Sequence, residues 1–374
     1  MIREIRALTG LRGIAALCVA AYHFSNSFTK LNKGELVHIS SGYMAVDLFF
    51  ILSGFVLAYN YRPKFENGFS TRDYRDFMIK RIARIYPAYI GISALLAVKA
   101  ALGSSEVPVV ANFKAWDWIG NLLMLTGWGL DFKPILGVSW SASAELACYI
   151  LFPLFVLYVL PFKSRTVLAV IIGVIGVALI GTWGPGVNGA LDVVSFNTQW
   201  SLARAFCGFT LGMCIYSLYT ANRSAIDRFG DPLFVIGLLL LVVTCLPFFE
   251  AFAGRSADFY RYPPLALIMI GSATDRPIGL AILGNRIVHY LGLISYSIYL
   301  CHIPLISPVL KLHGKLEKLI GAAAGWAALA LFLLVITGAA AIFYPLLEKG
   351  GKNLLLRLLL TKRPARADTD KVYG

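Results

Sequence analysis

Ten stretches of this chain are apolar enough, and long enough, to cross a lipid bilayer, and that pattern limits the folds available to it. In hydrocarbon no water satisfies the backbone, so a crossing segment must be a helix or a strand of a closed barrel. Runs of about twenty residues match the helical case. They fall near 9–28, 42–61, 84–102, 139–161, 166–183, 200–219, 232–249, 262–275, 292–310 and 319–346. The eighth is short and opens on Tyr262-Pro263-Pro264. The expected fold is therefore an all-α integral membrane protein, a bundle of about ten transmembrane helices.

Composition agrees. Only 14% of residues are charged, against about 25% in soluble domains, and mean hydropathy is +0.71. The first apolar run is followed by no small-residue cleavage site, so it reads as a span rather than a leader. A formal charge of +14 would suggest nucleic acid in a soluble protein. Here it reads as excess Lys and Arg on the cytoplasmic side, with no nucleic-acid partner. Placing both termini in the cytoplasm puts 23 Lys and Arg on that side and 10 on the other, with Arg204 left inside a span. The stretch 113–127 is too short to span and reads as re-entrant or interfacial, its Trp116 and Trp118 suited to the headgroup level. The transmembrane domain is taken as 1–346, followed by a basic cytoplasmic tail, 347–374. The six cysteines all lie in apolar runs without metal-ligand or disulfide spacing, so no metal is expected.

Charges at membrane depth are costly and mark functional sites by default. In the first run Arg12 and His23 are eleven residues apart, three turns plus about 20°, so they share one helix face roughly 16 Å apart. Counting inward from the outer ends of their spans, Asp47 is roughly 7 Å deep and Glu145 roughly 9 Å deep. That arithmetic brings both acids to the depth of His23. A carboxylate beside an imidazole orients the ring and raises its basicity, as a general base needs. The alternative is that each merely ties helices together. Arg81 and Arg84, at i and i+3, project from one face of a helix start, and Tyr86 follows. A guanidinium pair there suits a phosphate-bearing ligand, although it also fits ordinary positive-inside topology. Arg204 calls for a carboxylate partner. Tyr299 and His302 share a helix face one turn apart. Ser53-Gly54 reads mainly as a close helix contact, with a nucleophilic Ser53 as the lesser reading.

Together these residues resemble the acyltransferase-3 family of bacterial inner-membrane O-acyltransferases. The likeness rests on seven stretches in order: "LRGIAALCVAAYH", "GYMAVDLFFILSGF", "RIARIYPAY", "SWSASAE", "RAFCGFTLGM", "SYSIYLCHIPL" and "FYPLLEKG". The resemblance implies an acyl-CoA donor, commonly acetyl-CoA, taken from the cytoplasm, and acylation of a hydroxyl on a surface glycan or lipid-linked sugar. By that similarity Arg12 and His23 match the family's Arg-and-His motif, Arg81 and Arg84 its Arg-x-x-Arg pair, and Glu145 its acid, with Ala142 in place of a frequent leucine. Many relatives carry a soluble hydrolase-like domain after the last span, so its absence here leans toward stand-alone members. The combined expectation is catalysis by His23, Glu145 and Asp47, with the donor held by Arg12, Arg81, Arg84 and Tyr86. Arg204, Tyr299, His302 and Ser53 are secondary candidates. A proton-coupled secondary transporter is the competing reading, since intramembrane His, Asp, Glu and Arg serve transport equally well. Against it, the polar residues concentrate in the first four spans, without two matching broken segments in repeated halves.

Overall fold

The computed structural model describes residues 4–32, 37–102, 112–194, 196–274 and 276–360, and within these the chain is helical with no strand. The first half runs α1 (Arg6–Asn32), a 3-10 stretch (Val37–Met44), α2 (Ala45–Phe65), α3 (Thr71–Ala101), a short α4 (Ala115–Leu122), α5 (Ser139–Tyr158) and α6 (Lys163–Trp183). The second half runs α7 (Trp200–Ala221), α8 (Arg223–Thr244), α9 (Pro247–Ala253), α10 (Ala257–Ser272), α11 (Pro277–Leu283), α12 (Arg286–Leu293), α13 (Ser295–Ile320), α14 (Ala324–Phe343) and α15 (Gly351–Leu360). Seven helices among the described residues are long and apolar enough to cross a membrane, or up to nine if each of two bent pairs is one span. One bent pair is α8 with 247–272, at 71°; the other is α12 with α13, at 70°. The sequence count of ten is thus not reproduced as ten straight helices. Its weakest segment is where the difference arises, because α10 carries Pro263 and Pro264 and follows a break. Arg261 closes that region by donating from Nη2 to the Thr244 carbonyl at the end of α8, at 2.9 Å.

Polar side chains cap helices that leave the apolar body. Ser70 accepts the Asp73 N–H at the start of α3, and Asn285 accepts those of Ile287 and Val288 at the start of α12. Between α2 and α7 the backbones touch: a Cβ on Gly54 would lie 2.0 Å from the Phe209 carbonyl oxygen. Only glycine permits that approach, as the packing reading of Ser53-Gly54 expects.

Three features differ from the simple picture of straight spans. The loop before α5 is folded inward. Tyr86, the midpoint of the 31-residue α3, donates its hydroxyl to the Leu122 carbonyl, and Tyr89 donates to that of Asn121 at 2.8 Å. So α4 ends beside the middle of α3, consistent with a re-entrant segment at 113–127. Ser143 then ties back to the Met124 carbonyl at 2.5 Å, and Met124 and Asp131 adopt positive φ in the tight turn between. α5 therefore starts level with the middle of α3 and not with its far end. Last, α14 does not stop at 346. It continues through a π-helical stretch, Tyr344–Gly350, into α15, and Glu348 is buried within the body. Residues 361–374 of the expected tail lie outside the described residues.

Candidate active site

Five helices surround a cavity of about 100 Å³. α1 contributes Arg12, α2 Phe49, Phe50 and Ser53, α3 Arg81 and Arg84, α5 Glu145 and Tyr149, and α13 Tyr296 and Tyr299. Three guanidiniums thus face one space with a carboxylate and five aromatic or phenolic walls. Arg81 donates to the Tyr61 hydroxyl at 2.8 Å and sits 4.9 Å over that ring and 5.9 Å from Phe77, which fixes its planar head against aromatic faces. Arg84 is ion-paired to Glu348, whose other oxygen accepts from Ser297 at 2.8 Å. Arg81 and Arg84 are therefore unequal: one is caged by rings, the other is ion-paired to an acid of the π-helical stretch before α15. Glu348 lies in "FYPLLEKG", one of the seven stretches that carry the resemblance, but nothing there marked it as the partner of Arg84.

Glu145 accepts a short hydrogen bond from the Ser53 hydroxyl and is the acid that acts most strongly on Arg12. It belongs to the arginine end of the cavity and does not adjoin His23. The depth arithmetic fails here because α5 begins at the middle of α3, so six residues along it lead to the level of Arg81 and Arg84. Asp47 is elsewhere too. Its carboxylate is fully buried and takes both the Arg204 Nε at 3.1 Å and Nη2 at 2.6 Å, plus the Tyr262 hydroxyl at 2.7 Å. Arg204 has the carboxylate partner its position called for, and the pair fastens α7 to α2. Tyr86, bonded to α4, is not among the cavity-lining residues.

His23 stands at the far side of Tyr299. The Tyr299 hydroxyl is held by Ser141 at 2.8 Å and the Val138 carbonyl at 3.0 Å. Its ring lies 5.7 Å from that of His302, which in turn lies 5.2 Å from His23. His302 is fully buried, with Nδ1 2.6 Å from the Tyr299 carbonyl oxygen and Nε2 without a partner among the described residues. A carbonyl only accepts, so Nδ1 carries the hydrogen of the neutral ring and Nε2 keeps a bare lone pair. The carboxylate that acts on His23 is Asp192, unforeseen from the sequence. It accepts at 2.6 Å from Tyr22, whose ring touches that of His23 at 4.9 Å. A tyrosine directly before a motif histidine was the available signal. Asp192 itself lies in a glycine-rich loop with no periodicity to draw attention.

A family model described as an acyltransferase domain matches residues 5–346. The chain belongs to the acyltransferase-3 family. It is similar to YrhL of Bacillus subtilis, provisionally named a peptidoglycan O-acetyltransferase, at 25% identity over 81% of this chain and 49% of that protein. It is similar to SACOL0978 of Staphylococcus aureus strain COL, provisionally named an O-acetyltransferase, at 26% over 82% of this chain and 51% of that one. Over 40% of this chain it is 36% identical to the acyltransferase MdmB of Streptomyces mycarofaciens, covering 39% of it. The chain spans about half the length, or less, of these relatives. No solved structure gives a significant match.

Proposed function

We propose that this chain is a multi-pass O-acyltransferase of the bacterial inner membrane that moves an acyl group, acetyl in the simplest case, from cytoplasmic acyl-CoA to a hydroxyl of a surface or exported glycan. The observation that carries the reading is one line of side chains: three guanidiniums at one end of a narrow cavity, Tyr299 at the other, then His302 and His23. The cavity has room for a slender chain and not for a nucleotide. The phosphates of the donor would stay at Arg12, Arg81 and Arg84, bound by charge-assisted hydrogen bonds, while the pantetheine arm carries the thioester inward. Family membership weighs against the transporter reading.

In direct transfer His23 takes the proton from the acceptor hydroxyl, and its oxygen attacks the thioester carbonyl. The carbon–oxygen bond forms, the carbon–sulfur bond breaks, and the proton on His23 passes to the departing thiolate. Glu145 and Ser53, at the arginine end, position the donor. The test is sided. In sealed proteoliposomes sorted by labelling cysteines placed at Ser70 and Val187, acetyl-CoA on the Ser70 face should support transfer, and His23→Ala should abolish it. Transfer fuelled only from the Val187 face, or near-wild-type transfer by His23→Ala, would overturn the proposal.

A further inference from the structure

Next to the Tyr22–His23 pair, away from the arginines, lies a second cavity of about 280 Å³. On α1 Arg12 and Tyr22 are ten residues, roughly 15 Å, apart, so the two cavities flank the histidines from opposite ends. Its walls come from the 3-10 stretch (Ser41, Tyr43), the loop after α6 (Asn188, Gly189), α9 (Glu250) and α10 (Asp258, Arg261), with exposed Arg255 at the rim. Its polar groups are held rigidly. Asp258 accepts from Tyr43 at 2.6 Å, Arg261 at 2.8 Å and the Leu191 N–H at 2.8 Å. Asn188 spends its amide hydrogens on the Tyr22 hydroxyl at 2.6 Å and on Asp192 at 2.7 Å. Glycine is required at 189: a Cβ there would lie 1.7 Å from the Tyr43 hydroxyl oxygen and 2.6 Å from Asp258 Oδ2.

What remains unused is mostly acceptor. Asn188 has given both amide hydrogens and keeps its carbonyl oxygen. Glu250 takes Ser41 and Arg261 on Oε1, both at 2.7 Å, and among the described residues Oε2 accepts none. Arg261 pairs with both Glu250 and Asp258, and Arg255 stands at the rim, so the carboxylates are balanced and the unused acceptors suit hydroxyl donors. The cavity is large enough for one sugar ring with its hydroxyls. Tyr43 adds a ring face, and its own ring lies 5.3 Å from that of Tyr22.

We propose that this second cavity is the acceptor subsite and that it binds a sugar ring through its hydroxyls, on Asn188 and Glu250, with the ring against Tyr43. The place of this subsite in the reaction rests on the acyl-transfer reading above; its binding chemistry does not. The test uses the full chain in detergent, without donor, with methyl β-glucopyranoside and the hydroxyl-free ring tetrahydropyran as probes and saturation-transfer NMR as readout. The glycoside should bind at least tenfold more tightly than tetrahydropyran. Asn188→Ala and Glu250→Gln should each weaken the glycoside at least tenfold with the thermal midpoint kept. No binding of the glycoside, equal binding of tetrahydropyran, or unchanged affinity in both variants would overturn the subsite. Glycoside binding that depends on Asn188 in a protein that turns over no acetyl-CoA would instead overturn the proposed reaction and leave the subsite standing.

Discussion

Replacing Asp47 by alanine separates a catalytic from a structural carboxylate. Asp47 and Arg204 are 0% and 1% exposed and bonded through two nitrogen–oxygen contacts, and Arg204 gives further bonds to the Tyr43 and Val193 carbonyls at 3.2 and 3.4 Å. Removing one partner strands a buried guanidinium, a loss of about 3–5 kcal/mol, whereas replacing both with apolar residues of similar volume is often neutral. With unfolding entropy of about 2.1 cal/mol/K per residue over 374 residues, that loss lowers the thermal midpoint by about 4–6 °C. Asp47→Ala should show this drop by differential scanning fluorimetry in detergent. The double variant Asp47→Leu with Arg204→Met should recover at least half of it and keep acyl transfer. A midpoint unmoved in Asp47→Ala, or a stable double variant without transfer, would return Asp47 to the chemistry and refute the structural assignment.

Two further outcomes follow from the packing and the arginine end. Arg81→Ala should weaken acyl-CoA binding by roughly ten- to a hundredfold, since a hydrogen bond to a charged group is worth about 1.5–3 kcal/mol, and added salt should narrow the gap in a binding titration. Gly54→Val should lower the thermal midpoint more than Asp47→Ala does, because its Cβ would enter the Phe209 backbone at 2.0 Å and drive α2 from α7; a midpoint unchanged in that variant would contradict the helix contact.

Much of the fold was legible because lipid removes alternatives. A long apolar run has to be helical, and Arg204 inside one had to find a carboxylate. Of the four residues expected to hold a donor, Arg12, Arg81 and Arg84 line one cavity and Tyr86 does not, and Ser53, Glu145 and Tyr299, expected in other roles, line it with them. Helical spacing revealed the faces of Arg81 and Arg84, and of Tyr299 and His302. It did not reveal Glu348, because a lone acid in a basic terminal stretch looks like solvated charge. Here it is buried against Arg84 by a helix that runs on past the last apolar residues.

Depth was the quantity the sequence could not supply, and the reason is physical. Counting residues from a helix start gives depth only when that start lies at the membrane face. For α1 the assumption serves, and Arg12 and His23 fall at the two ends of the line of polar side chains. For α5 it fails, since α4 and the turn at 123–138 are drawn inward by Asn121, which donates to the Lys133 carbonyl at 2.7 Å and accepts from the Ile135 N–H at 2.9 Å. One buried amide thus sinks the start of α5 to the midpoint of α3 and moves Glu145 from the histidine to the arginines. Asp192, the acid bonded to Tyr22 next to His23, comes from a loop, where neither hydropathy nor period assigns a depth. In the proposed reaction these inward-folded loops set both ends of the path: α4 and the turn at 123–138 place Glu145 with the arginines, and the loop after α6 brings Asp192 to Tyr22.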